Sequence, residues 1–134
     1  MTDSARSEAL AALKARVDAL YLAYIFPVLA TIRLGEDPAA TAYEAELLAA
    51  AKAAGVRVRR YIMPEDLTFE EIAQLIREIN ADFLLTALLV LRPLPRALDE
   101  AGLLALVAPE KALDPAPCEI LLERVIDAAE RKAR

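Results

Sequence analysis

Few side chains in this sequence can do chemistry, and those few gather around one stretch. Residues 27–43, Pro-Val-Leu-Ala-Thr-Ile-Arg-Leu-Gly-Glu-Asp-Pro-Ala-Ala-Thr-Ala-Tyr, end on a tyrosine, and Glu44 and Glu46 follow at once. A site, if the chain has one, should open at this stretch, and a carboxylate there can move a proton. The bland reading of the carboxylates is stronger: Glu44 and Glu46 have no evident partner and read as solvent-facing, as does Lys52. Histidine is absent, which removes the commonest general base and the commonest zinc ligand together. The single cysteine, Cys118, excludes an internal disulfide and any cysteine-rich metal site. Gly35, Gly55 and Gly102 are the only glycines, so no Gly-rich phosphate fingerprint exists. No metal and no cofactor is expected.

The elements that must position these groups alternate. Residues 4–23 read as a helix capped by Ser4 or Asp3, with Leu10, Leu13, Val17 and Leu20 at helical spacing. Leu29–Leu34 reads as a buried strand. Gly35 then allows a sharp turn, Asp37 suits a helix N-cap, and Pro38 suits the first helical position. That helix runs to about Ala54 before Gly55. Val56–Met63 alternates like a half-wet edge strand, with Arg57, Arg59 and Arg60 on its solvated face. Thr68 and Glu71 form a capping-box pattern ahead of Ile72, Leu75, Ile76 and Ile79. Phe83–Leu91 reads as a central strand, stopped by Pro93 and Pro95, which form a rigid wall. A short helix from Asp99, a fourth short strand at residues 112–114 and a final helix at about 118–132 complete the order. The last helix is expected to turn Ile120, Leu121, Val125 and Ala128 or Ala129 inward. The predicted fold class is α/β: a three-layer sandwich whose small, mainly parallel sheet of three to four strands carries helices on both faces. Ligand clefts in such folds open beyond the carboxyl ends of the strands.

At 134 residues the chain is expected to form one domain, residues 1–134. Its net charge of −5 argues against nucleic acid or an anionic membrane as partner. No apolar run is long enough to span a bilayer, and no signal peptide is visible, so a soluble cytoplasmic protein is expected. The cluster Tyr21-Leu22-Ala23-Tyr24-Ile25-Phe26 does not keep to one helix face. It reads either as a buried helix end or as a contact surface, because large apolar patches rimmed by polar residues mark interfaces.

Several collinear motifs resemble the amino-terminal domain of the methylenetetrahydrofolate dehydrogenase/cyclohydrolase family. Pro27–Tyr43 resembles that family's Pro-x-Leu-Ala-Thr-Ile-x-x-Gly-x-Asp-Pro-Ala-Ser and the tyrosine that opens its Tyr-x-x-x-Lys. Met63-Pro64-Glu65-Asp66 resembles its Leu-Pro-Glu-Asp, and Ile79-Asn80-Ala81-Asp82 its Leu-Asn-Ala-Asp. Pro93-Leu94-Pro95 matches the end of Gln-Leu-Pro-Leu-Pro, and Pro109-Glu110-Lys111 with Asp114 partly keeps Pro-Glu-Lys-Asp-Val-Asp-Gly. The resemblance implies a folate cleft in which Tyr43 stacks on the substrate and Asp114 holds the pterin ring, beside the wall of Pro93 and Pro95. It also implies two losses: the family's essential lysine falls on Leu47 and its glutamine on Leu91. Pro115 replaces the glycine after the aspartate, and Pro117-Cys118-Glu119 only echoes Pro-Cys-Thr-Pro. The family's dinucleotide-binding domain would begin beyond this sequence, so no NAD(P) site is expected within it.

The departures run toward apolar residues, at Tyr24, Phe26, Val28, Leu47, Phe83, Leu84, Ala87 and Leu91. That one-way trend fits natural specialisation or an engineered scaffold. The leading expectation is therefore a non-catalytic relative of the folate domain, not an enzyme, acting as a homo-oligomer or with a protein partner through Tyr21, Tyr24, Phe26, Phe83 and Leu84. The alternatives are a folate-like small-molecule binder using Tyr43 and Asp114, and a residual cyclohydrolase using Asp114 or Glu44.

Overall fold

The computed structural model describes residues 2–133. Its elements run α1 (Asp3–Leu22), β1 (Val28–Leu34), α2 (Pro38–Ala54), β2 (Arg57–Met63), α3 (Phe69–Ala81), β3 (Ala87–Val90), α4 (Glu100–Leu104) and α5 (Cys118–Lys132). Short-range chemistry sets most boundaries. Thr2, one residue ahead of the expected caps, accepts the Ala5 N–H at 3.1 Å and starts α1. The Asp37 carboxylate accepts from the Ala39 and Ala40 N–H groups, and Gly55 ends α2 in the left-handed conformation at φ 77°. Thr68 and Glu71 form the reciprocal capping box. At the end of α1, Tyr24 N–H donates to the Tyr21 carbonyl and Ile25 N–H to that of Leu20. This is a Schellman closure, and Tyr24 holds its left-handed position at φ 60°, where glycine is the usual residue.

The three strands are parallel in the order β2-β1-β3. β1 is therefore the central strand, and β3 is shorter than its apolar run suggested. The Asp82 carboxylate accepts the Leu84 N–H at 3.0 Å, and the Asp82 carbonyl accepts that of Leu85 at 3.1 Å. An aspartate bonding its own backbone two residues on makes a turn, so Phe83–Leu85 cannot join the ladder, and pairing with β1 begins at Thr86, whose N–H donates to the Val28 carbonyl. The expected fourth strand is reduced to a single parallel bridge between Leu88 and Ala112.

Alternation along β1 divides the interior. Leu29 packs with α1, α2 and α5, in a cluster holding Val17, Leu47, Leu91, Leu121 and Val125. Ala30, Ile32 and Leu34 face α3 and α4, with Ile72, Ile76, Ile79 and Leu103. Helices thus cover both faces of the sheet. In α5 the buried stripe is Leu121, Leu122, Val125, Ile126, Ala128 and Ala129, whereas Ile120, expected inward, is 42% exposed. No helix among the described residues is long and apolar enough to cross a membrane.

The segment from α4 to α5 has little secondary structure and is held by side chains. Asn80 donates to the Leu106 carbonyl at 2.8 Å and accepts the Ala108 N–H at 2.9 Å. Lys111, buried, donates to the carbonyls of Ile79 and Asp82 at 2.7 and 2.6 Å. Its own carbonyl accepts the Leu88 N–H at 2.8 Å, joining the segment to β3. Replacing Lys111 by methionine keeps the stem and removes two charge-assisted bonds, leaving the Ile79 carbonyl only the Asp82 N–H and the Asp82 carbonyl only the Leu85 N–H. Lys111→Met is expected to lower unfolding free energy by about 2–3 kcal/mol, read from urea denaturation. A loss below about 0.5 kcal/mol would show that water replaces the ammonium there.

Candidate site at the carboxyl ends of the strands

The amino-terminal half of α2 carries the site. Its inward face presents Ala40, Glu44 and Leu47 to the sheet, and Tyr43 lies half-buried beside them. The Tyr43 hydroxyl donates to the Ala116 carbonyl at 2.6 Å. Burial, then the neighbouring Cys118 thiol, pushes its phenol up to about 12. The ring lines a cavity of about 180 Å³ together with Leu89, Val90, Leu91, Arg92 and Pro115. A second cavity of about 70 Å³ shares Val90 and Arg92 with it and reaches Asp114. Asp114 is exposed at that rim. Tyr43 and Asp114 therefore stand on two sides of one adjoining pair of cavities. Pro93 and Pro95 do not join them. They line a separate open groove of about 550 Å³ with Leu34, Asp37 and Glu65.

Two positions of chemical interest are filled with hydrocarbon. Leu47 is 0% exposed, and it shares one apolar cluster with Leu91, Leu29 and Leu89. No proton can be moved by either side chain. Cys118 is buried, and burial, followed by the Glu46 charge, pushes its thiol up, so it is a poor nucleophile.

The sequence reading misplaced Glu44. It is 2% exposed, and it accepts from Arg60 at 2.8 Å and from Arg33 Nε at 3.1 Å. Arg33, itself buried, also donates to the Gly35 carbonyl at 2.6 Å. Burial pushes the Glu44 carboxyl up, but the bonds from Arg60 and Arg33 together outweigh it and hold the group below its ordinary range. One signal for this was available: Arg33 interrupts a strand that is otherwise apolar or small. A guanidinium inside a strand buried on both faces needs a carboxylate across from it.

The residues expected to form an interface divide. Tyr21 belongs to the fold, its hydroxyl donating to the Gly55 carbonyl at 3.2 Å and its ring meeting Phe26 edge-on at 4.9 Å. Tyr24, Phe26, Phe83 and Leu84 are exposed, as is Leu22. They sit at the amino end of the sheet, where Thr86 N–H donates to the Val28 carbonyl, opposite the cavities.

Residues 2–114 match the family described as tetrahydrofolate dehydrogenase/cyclohydrolase, catalytic domain. The chain belongs to this family. It is 36% identical over 90 residues to the bifunctional protein FolD of Alkaliphilus metalliredigens, covering 67% of this chain and 32% of that protein. It is 35% identical over 111 residues to FolD 3 of Ectopseudomonas mendocina, covering 83% of this chain and 36% of the relative. The crystal structure of the bifunctional FolD enzyme from Campylobacter jejuni superposes with a TM-score of 0.80 at 25% identity, over 87% of this chain and 42% of the other. The chain thus spans about a third of the length of these curated relatives. The expectation of a protein outside the enzymes is corrected by these matches. The family is enzymatic, and one leucine in place of a lysine does not remove a chain from it.

The Glu44 cluster makes a testable contribution to acid stability. A carboxyl whose folded pKa lies below its unfolded value stabilises fully above the unfolded value, and the effect is lost as pH falls through the folded one. Glu44→Gln is expected to cost about 3 kcal/mol at pH 7, because it leaves Arg33 without its carboxylate. The gap between the two proteins should narrow as pH drops below the ordinary glutamate value of 4.5. Parallel stability curves from pH 7 to 3 would show that Glu44 does not titrate with folding.

Proposed function

We propose that this chain is a single folate-binding domain that takes the ring end of a reduced folate in the paired cavities between Tyr43, Pro115 and Asp114. The reading rests on one observation above all. Tyr43, its hydroxyl tied to Ala116, turns its ring to an apolar cavity at the carboxyl end of β3, beside a free aspartate. The larger cavity, about 180 Å³, is below the roughly 300–1,000 Å³ of whole-ligand pockets. That size suits a fused ring system and leaves a benzoylglutamate tail outside, along the open rim. Membership of a tetrahydrofolate dehydrogenase/cyclohydrolase family supports the ligand class, and one-carbon chemistry on that ligand is the reaction such a domain would serve. Calorimetric titration with tetrahydrofolate should give saturable binding that weakens about tenfold in Tyr43→Ala. Tyr43→Phe, which keeps the ring, should stay close to the parent. A flat titration would end the reading.

A second reading, self-association through the amino end of the sheet, is favoured by Tyr24. It is 85% exposed yet held at φ 60°, a conformation costing a side chain about 1–2 kcal/mol. Backbone strain is retained where something else over-determines it. Phe83, Leu84 and Leu22 extend the same apolar surface. Sedimentation should show dimers at tens of micromolar, and Tyr24→Gly should stabilise the monomer by about 1 kcal/mol while weakening the dimer. A chain that stays monomeric at high micromolar concentration would remove this reading.

A further inference from the structure

Among the described residues Arg92 is the one cation lining the cavity pair, and its guanidinium has no side-chain hydrogen bond or ion pair there. It follows Leu91, whose N–H makes the last ladder bond to the Ile32 carbonyl, so its backbone is fixed at the carboxyl end of the sheet. Arg92 lines both the cavity of Tyr43 and that of Asp114. Its Nε is buried and finds no acceptor among the described residues. Asp114 lines the smaller cavity with it, yet the two are not within ion-pairing distance. A buried guanidinium N–H without an acceptor is costly, and a leucine here would avoid that cost.

We infer that Arg92 is a ligand-binding, specificity-determining residue of this chain, donating to an oxygen of the bound folate. The inference rests on the folate reading above and adds a donor to it. A carboxylate and a guanidinium flanking one small cavity offer an acceptor beside a planar fork of donors. The oxygen on the ligand side is either the carbonyl of the pterin ring or a carboxylate of the glutamate tail. Both are acceptors that leucine could not hold.

The test compares the parent chain with Arg92→Leu and Arg92→Lys, titrating each with tetrahydrofolate and with tetrahydropterin, which lacks the tail. Arg92→Leu should bind about 10- to 100-fold more weakly. Arg92→Lys, keeping charge without the fork, should fall between. Weakening toward both probes assigns the ring carbonyl as partner, and weakening toward tetrahydrofolate alone assigns the tail. Urea denaturation supplies the second readout. A binding residue with an orphaned donor predicts that Arg92→Leu is as stable as the parent or more so, whereas a structural arginine predicts a loss. Unchanged affinity for both probes overturns the inference and leaves the folate reading standing. No binding of either probe by the parent chain overturns both.

Discussion

The site's geometry depends on the ammonium of Lys111 more than on any residue that would touch a ligand. Its bonds to the carbonyls of Ile79 and Asp82 satisfy the end of α3 and the turn that feeds β3. A cation at a helix carboxyl end also suits the helix dipole. The same residue passes a backbone bond to Leu88, and Asn80 pins the chain on either side of residue 107. Three residues beyond Lys111 stands Asp114, and one further is Pro115. The loop that faces Tyr43 has no helix or strand of its own, so its position is inherited from this knot. Burial lowers the proton affinity of Lys111, reinforced by Lys132, which shows that the charge is held there at some electrostatic cost. The two short bonds, at 2.7 and 2.6 Å, and the nearby Asp82 and Glu110 carboxylates work against that cost.

This knot explains which parts of the fold were legible in the sequence. The motifs Ile79-Asn80-Ala81-Asp82 and Pro109-Glu110-Lys111 carry the family resemblance, and in the structure they are the two halves of the knot. They specify architecture, and so they identify the fold without speaking to chemistry. Caps were equally legible, because Asp37, Gly55 and the Thr68–Glu71 pair act within four residues of themselves. What could not be read is what depends on distant partners. The apolar run from Phe83 promised a long strand, and the turn at Asp82, which accepts from the Leu84 and Leu85 N–H groups, shortens it. Glu44 looked solvated because its partners, Arg33 and Arg60, come from two different strands. Ile120 looked like core because a helical stripe shifted by one residue fits the same spacing.

The cleft itself shows a division between what is buried as hydrocarbon and what is buried as charge. On the β1–β3 side of α2, Leu47 and Leu91 close an apolar seam with Leu29 and Leu89. On the β1–β2 side, Glu44 gathers two guanidinium groups. One helix therefore carries two kinds of interior separated by a single turn. The ionic side fixes the rotation of α2 about its axis, because Glu44 can meet Arg33 and Arg60 in one orientation only. That rotation decides where Tyr43, the preceding residue, must point. An apolar seam alone would allow α2 to roll, since leucine packing is forgiving of small shifts. The buried charge thus acts on the cleft indirectly, by aiming an aromatic ring.

The two ends of the sheet follow different physical rules, and the difference bears on how far Leu47 should weigh. At the carboxyl end, polar groups are held in place and partly unpaired: the Arg92 Nε and an exposed Asp114 beside a tyrosine whose hydroxyl is already used. At the amino end, large apolar groups stand in water and one tyrosine carries backbone strain. Leu47 lies in the apolar core and lines neither cavity. Its side chain carries no titratable proton, while Tyr43, Asp114 and Arg92 stand at the rim. Binding and proton transfer are separable properties of such a cleft, because the first needs shape and hydrogen-bond partners and the second needs a titratable group at one atom. Leu47 therefore bears on proton transfer alone, and the groups at the rim, Tyr43, Arg92 and Asp114, have to be judged on their own shape and hydrogen-bonding capacity.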